Sequence, residues 1–99
     1  PNPFVHWLVW SIDPSRTELP EGVPATESNF LMQGKNSGLK SGWTGMAPPK
    51  GDTPHHYVFQ LFALNTGLQL EPGAGRSALV QALKGKVIGR GQLVGTYQR

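Results

Sequence analysis

Apolar side chains along the chain concentrate in two dense stretches, residues 4–12 and 55–64, with a long weakly periodic segment between them. In the first stretch, Phe4-Val5-His6-Trp7-Leu8-Val9-Trp10 is rich in aromatic and β-branched residues, and Asp13-Pro14 ends it, which predicts a strand over 4–12. Alternation puts Phe4, His6, Leu8 and Trp10 on one face and Val5, Trp7 and Val9 on the other. Both faces are apolar, so the strand is expected to be central and covered on both sides, as in a sandwich. The second stretch predicts a strand over 55–64, closed by Asn65-Thr66-Gly67. One of its faces carries His55, Tyr57, Phe59, Leu61 and Ala63, and the other carries His56, Val58, Gln60, Phe62 and Leu64. Trp7, Phe59 and Phe62 are expected in the core.

Between these strands, residues 13–54 are rich in Pro, Gly, Ser and Asn, and only 29–33 suggests a further short strand. A loop of that length in a compact domain is either functional or wrapped over elements from elsewhere. After the second strand, 77–84 predicts a short helix. Ser77 is its expected cap, Leu79, Val80 and Leu83 form its apolar stripe, and Gly85 suits the C′ position. Residues 87–97 return as a strand interrupted by Gly89, Gly91 and Gly95. The fold class implied is mainly β with one short helix.

Composition narrows the picture. Ninety-nine residues make one domain at most, and 13 Gly and 9 Pro leave a lean core. The absence of cysteine removes disulfides and thiolate nucleophiles. No apolar run approaches the ~20 residues of a membrane-spanning helix, so the chain reads as soluble. A cytoplasmic location is expected, with periplasmic or secreted locations left open. The net charge of +3 is uneven. Residues 1–71 hold four basic against six acidic residues, whereas Arg76, Lys84, Lys86, Arg90 and Arg99 meet no acid beyond position 71. These five charges are spaced out and lack interleaved aromatic rings, which argues for a solvated face and against nucleic acid.

The chemistry-bearing residues cluster in sequence. A loop stiffened by Pro48 and Pro49 runs from Gly45 through Gly51 and Asp52 into His55, His56 and Tyr57. His55 and Tyr57 point the same way on their strand. With His6 they offer three donors to one spot if the strands are neighbours, a set suited to a small oxyanion. Rigid amides around Gly45 and Ala47 would add to it. His56 points the other way. A metal site competes weakly: His55 and His56 diverge, and Asp52 is the nearby acid. Neither a metal nor an organic cofactor is expected. No Gly-x-Ser-x-Gly elbow occurs, and Gly34-Lys35-Asn36-Ser37 fails as a phosphate loop because Asn29 and Asn36 occupy required positions. Histidine-based phosphoester hydrolysis remains the alternative activity.

Four pieces of sequence together are similar to the phosphatidylethanolamine-binding protein (PEBP) family, and in particular to its prokaryotic Raf-kinase-inhibitor-like branch. They are Pro1 with His6-Trp7, the Gly45-x-x-Pro48-Pro49-x-Gly51 loop, His55-x-Tyr57-x-Phe59, and Gly95-Thr96-Tyr97-Gln98-Arg99. Met46 departs from the proline usual after the loop glycine in that branch. Of the family's Asp-Pro-Asp-x-Pro signature only Pro1 is present. The resemblance therefore implies a PEBP-like β-sandwich, with 1–99 its C-terminal portion and its N-terminal strands lacking. That missing segment is expected as a separate chain, or replaced by a swapped dimer. The resemblance also implies a small-anion pocket at His6, His55 and Tyr57, with Phe4 as a wall and Pro1, Gly45, Ala47 and Pro48 contributing. Its implied output is inhibition of a kinase or protease partner rather than catalysis. Trp43 and Lys50 are expected on the rim that such a partner would touch.

Overall fold

A computed structural model describes residues 4–99. The expected contact from Pro1 lies outside the described residues. The elements in chain order are β1 (Val9–Trp10), β2 (Met32–Gln33), β3 (His55–Leu64), α1 (Arg76–Leu83) and β4 (Val87–Tyr97). They form two antiparallel pairs, β1 with β2 and β3 with β4. The molecule is thus mostly strand with one short helix, the class the residue pattern predicts.

The first pair is short. Val9 faces Gln33 and Trp10 faces Met32. Only these two residues of the expected 4–12 strand enter a ladder. Upstream of them the backbone groups are satisfied irregularly: Ser37, Thr44 and Gly34 donate their N–H groups to the carbonyls of Val5, His6 and Leu8 at 2.8, 2.9 and 2.9 Å. The Val5 N–H goes to the Ser37 hydroxyl at 2.7 Å. These partners come from successive turns of 34–44, so the segment is pinned without a regular strand opposite it. The buried apolar side chains among the described residues are Leu8, Trp10 and Leu31, and they are joined by buried Gln33 and Asn36.

Both buried amides have their oxygen and their nitrogen bonded. Gln33 donates through Nε2 to the carbonyls of Pro24 and Glu27 at 2.8 and 3.2 Å, while its Oε1 accepts from Trp7 Nε1 at 2.8 Å. Asn36 donates to the Gly42 carbonyl at 2.9 Å and accepts the N–H groups of Gly38 and Lys40 at 2.8 and 3.3 Å. Two amide side chains therefore organise the irregular segment that hydrophobic periodicity left unassigned. Gly34 sits where chains approach closest. A Cβ there would run into the Ala74 carbonyl and come within 2.7 Å of the Trp10 ring.

The second pair is long and regular. Its register runs from His55 opposite Tyr97 to Leu64 opposite Val87, with one irregularity between Ala63 and Leu64. Gly89, Gly91 and Gly95 do not interrupt the ladder as expected. Every residue of β3 and β4 is at least partly exposed, and the expected core position Phe59 is 41% exposed. The helix begins at Gly75 without a side-chain cap, so Ser77 lies in its first turn instead of capping it. It ends as expected, with Gly85 at φ +75° just beyond the C-cap Lys84. Among the described residues no helix is long and apolar enough to cross a membrane.

Candidate functional site

His6 sits on the pinned leg before β1, and its ring is held through one nitrogen. Nδ1 lies 2.7 Å from the Thr44 carbonyl oxygen. A carbonyl only accepts, so this bond puts the hydrogen on Nδ1 and leaves Nε2 as the nitrogen available to a ligand. Thr44 also donates its N–H to the His6 carbonyl at 2.9 Å, which fixes backbone and ring together. Three rings surround the imidazole. Phe4 is 4.8 Å away, Tyr57 5.4 Å and nearly perpendicular, and Trp43 5.8 Å. Tyr57 arrives from β3, so the two apolar stretches of the sequence do meet at this histidine.

The Gly/Pro loop supplies the second histidine's partner. Asp52 donates its N–H to the Pro49 carbonyl at 3.3 Å, and Gly51, at φ +86°, takes the position of that turn which needs a left-handed backbone. The turn carries the Asp52 carboxylate to 3.1 Å from His55 Nε2, with side chains 48% and 43% exposed, respectively. At that exposure the pair orients the ring more than it stabilises the fold. The end of the chain straps the same loop. Arg99 Nε donates to the Pro48 carbonyl at 2.8 Å, Gly51 N–H to the Arg99 carbonyl at 3.3 Å, and Gln98 Nε2 to the Asp52 carbonyl at 3.0 Å.

Of the residues expected at the site, Phe4, His6 and Tyr57 are in ring contact. His55 shares the Tyr57 face of β3, two residues away, and is engaged with Asp52. Pro48 is buried, whereas Gly45 and Ala47 are exposed on the same loop. His56 is exposed. Sequence reasoning missed Thr44, the pairing of Asp52 with His55, and the strap from Gln98 and Arg99, since each bond joins positions whose proximity only the fold creates. Trp43, expected on the rim around the pocket, has its ring centroid 5.8 Å from that of His6. Among the described residues no three His, Asp or Glu side chains gather closely enough to hold a metal ion. Two surface concavities lie away from His6, one beside Glu27, Met32 and Gly73 and the other beside Gln60, Phe62 and Arg90. His6, His55 and Tyr57 line neither of them. For a small charged group, convergent donors matter more than enclosed volume.

Residues 1–98 match the family model described as phosphatidylethanolamine-binding protein. A UPF0098 protein of Pyrococcus horikoshii is 44% identical over 100 residues, covering 97% of this chain and 50% of that protein. A Mycobacterium tuberculosis relative named as a candidate lipoprotein, LppC, is 36% identical over 95 residues, covering 96% of this chain and 46% of the relative. Among solved structures, a PEBP homolog of Chlamydia trachomatis superposes with TM-score 0.85 at 32% identity, over 97% of this chain and 59% of that one. YbcL of E. coli, titled a new member of the mammalian PEBP family, superposes with TM-score 0.77 at 28% identity, over 95% and 60% of the two chains. This chain spans about half the length of the curated relatives it matches.

Proposed function

The chain belongs to the phosphatidylethanolamine-binding protein family, and on that premise we propose that it binds a small oxyanion, such as a phosphate monoester or a phospho-headgroup. The observation that carries this reading is the fixed His6 ring, with Nδ1 anchored on Thr44 and Tyr57 5.4 Å away. His55 and the exposed amides at Gly45 and Ala47 complete the donor set, Pro48 stiffens it, and Phe4 walls it. Pro1 belongs to the same proposed set by resemblance. We propose further that 1–99 is the C-terminal portion of a single domain, and that the complete protein uses the site to regulate a kinase or protease partner.

The anchored tautomer makes the binding pH-dependent. With Nδ1–H committed to Thr44, a neutral His6 offers only a lone pair at Nε2, and a fully ionised anion gains a hydrogen bond there only when the ring is protonated. Affinity for sulfate, whose own charge is constant, is therefore expected to be higher with the ring protonated and to fall as pH rises. Calorimetric titration tests the reading. His6→Ala and His55→Ala should each weaken sulfate or phosphate binding about 10- to 100-fold, because a hydrogen bond to a charged acceptor contributes about 1.5–3 kcal/mol. Equal affinity in wild type and both variants sinks it.

One observation favours a second reading, a histidine-dependent phosphoester hydrolase. Asp52 orients His55 as a carboxylate orients a general base. Turnover of a generic phosphomonoester that disappears in Asp52→Asn and His55→Ala would select it. Binding without turnover selects the first.

A further inference from the structure

Beside the donors lies an aromatic surface that oxyanion binding does not use. The Trp43 and Phe59 rings are nearly parallel, 10° apart with centroids 6.4 Å from each other. Both remain open to solvent, at 44% and 41%. Trp43 comes from the irregular segment before the Gly/Pro loop, and Phe59 lies on β3 two residues beyond Tyr57 on the same face. Trp43 also packs on His6, with ring centroids 5.8 Å apart.

This surface is braced from beneath. The Trp7 ring meets Trp43 edge-on at 6.3 Å and 87°. Trp7 is held by its own Nε1–H bond to Gln33 Oε1, and Gln33 is buried and bonded to two further carbonyls. The line Gln33, Trp7, Trp43 thus transmits the order of the packed region to a ring at the edge of the donor cluster. A rigid aromatic plane that stays half exposed beside charge-binding donors has a recognition geometry: the donors take the charged group, and the plane takes whatever flat group is attached to it.

We propose that Trp43 and Phe59 form a stacking shelf that makes the site selective for oxyanions carried on an aromatic ring. The proposal rests on the oxyanion reading of His6 and Tyr57. A phosphate monoester seated on His6 Nε2 carries its ester-linked group outward from the donors, and Trp43 is a ring packed beside His6. An alkyl ester of the same charge uses the donors but leaves the shelf wet. A flexible chain also gains less there, since parallel rings reward a planar partner through offset stacking.

The test compares phenyl phosphate, ethyl phosphate, phosphocholine and inorganic phosphate by calorimetric titration in the wild type, Trp43→Leu and Phe59→Leu. Phenyl phosphate is expected to bind about tenfold more tightly than ethyl phosphate, the ratio a good aromatic pair supports. Phe59→Leu should shrink that gap while leaving ethyl and inorganic phosphate within about twofold of wild type, and Trp43→Leu should shrink it as well. Phe59→Leu serves as the second variant because Trp43 also packs against Trp7, and its loss can disturb the brace. Equal binding of phenyl and ethyl phosphate, a gap that survives both substitutions, or an equal gain for phosphocholine through its cation overturns the shelf. The oxyanion reading stands or falls separately. Equal binding of phenyl and ethyl phosphate that is lost in His6→Ala overturns the shelf and leaves the oxyanion reading standing, whereas phenyl phosphate binding through Trp43 without ethyl or inorganic phosphate overturns both. If none of the phosphates binds, both are overturned.

Discussion

The two strand pairs of this molecule invert the usual relation between regularity and burial. β1 and β2 contribute only two residues each, yet the chain around them holds Leu8, Trp10, Leu31, Gln33 and Asn36 away from water. The β3–β4 hairpin, closed through α1 and not by a tight turn, has the long ladder, yet Leu61, Ile88 and Leu93 are 63–69% exposed on it. Local pattern made the hairpin: alternating β-branched and aromatic residues with their backbone groups paired across one register. Tertiary bonds made the packed region, where two amides and a string of turn hydrogen bonds do the organising. The candidate site lies on the seam. His6 and Thr44 come from the packed side, and His55 and Tyr57 from β3, so its geometry depends on both.

If the difference is real, the same substitution has opposite consequences on the two sides. Gly34→Ala forces a methyl into the Ala74 carbonyl and the Trp10 ring, and overpacking of this kind costs about 1–3 kcal/mol, or more where backbone must move. Gly91→Ala on the hairpin meets nothing within 4 Å and is expected to stabilise by about 0.5–1 kcal/mol, because glycine in a strand gives up more chain entropy on folding. Chemical denaturation midpoints compare the pair directly. Similar changes of one sign in both variants would dissolve the contrast.

Gln33→Leu probes the same side one step lower. It leaves the Trp7 N–H and the Glu27 carbonyl without their partner, while the Pro24 carbonyl keeps the Glu27 N–H at 3.0 Å, at about 1–3 kcal/mol for an unsatisfied buried group. Because Trp7 braces Trp43, the loss should appear in tryptophan emission as well as in the denaturation midpoint. A stable variant with unchanged emission would remove Gln33 from the organising role given to it here.

What could be read from the sequence follows the same division. The bounds of β3 and β4, the helix to within a residue and Gly85 at its C′ position were legible because each is decided by side-chain periodicity or by a glycine that the backbone needs. The 4–12 strand was overextended, since its composition says strand while its backbone partners are turns 26 or more residues away. Phe59 was assigned to the core from its apolarity alone, and nothing local reveals that its face is left open. At the site, His6 and Tyr57 are brought together by the family resemblance, since the strand patterns alone do not say that the two segments are neighbours. The bond from Asp52 to His55 spans three positions, but it exists because the Pro49–Gly51 turn bends back, and the Arg99 bond to Pro48 crosses 51 positions.

The hairpin itself offers a smaller effect of a different kind. Leu61→Lys changes an exposed side chain, and in the 99-residue chain it should shift stability by no more than about 0.5 kcal/mol. Amide exchange on the same chain should find Gly34, Lys35 and Asn36 slow and the hairpin's cross-strand amides fast, because few buried contacts hold the latter closed. Open strand edges should also promote association in light scattering. A costly Leu61→Lys, or a monomer with strongly protected hairpin amides, would show that the hairpin needs no further cover and would remove the proposal that 1–99 is part of a larger domain.

The smallest effect lies in the turn just after β1. Asp13 accepts the Ser15 N–H at 2.9 Å and the Ser15 hydroxyl at 2.8 Å. Those bonds, the backbone one first, hold its carboxyl below the ordinary value of 3.8, with a lesser contribution from Arg16. A depressed carboxylate pKa stabilises the fold above the unfolded value, and that contribution is lost as pH falls through the folded one. Stability from this group should thus be level at neutral pH and decline only below about 3.8. Asp13→Asn keeps an acceptor for the Ser15 N–H but cannot titrate, so its acid limb should be shallower than that of the wild type in urea midpoints taken down through that range. The Asp13 N–H also donates to the Phe30 carbonyl at 2.8 Å, next to buried Leu31. Any acid loosening that follows Asp13 should therefore report through Trp10, in the packed region, before the hairpin responds. Identical acid limbs in wild type and Asp13→Asn would mean that this turn contributes nothing to the order that separates the two halves.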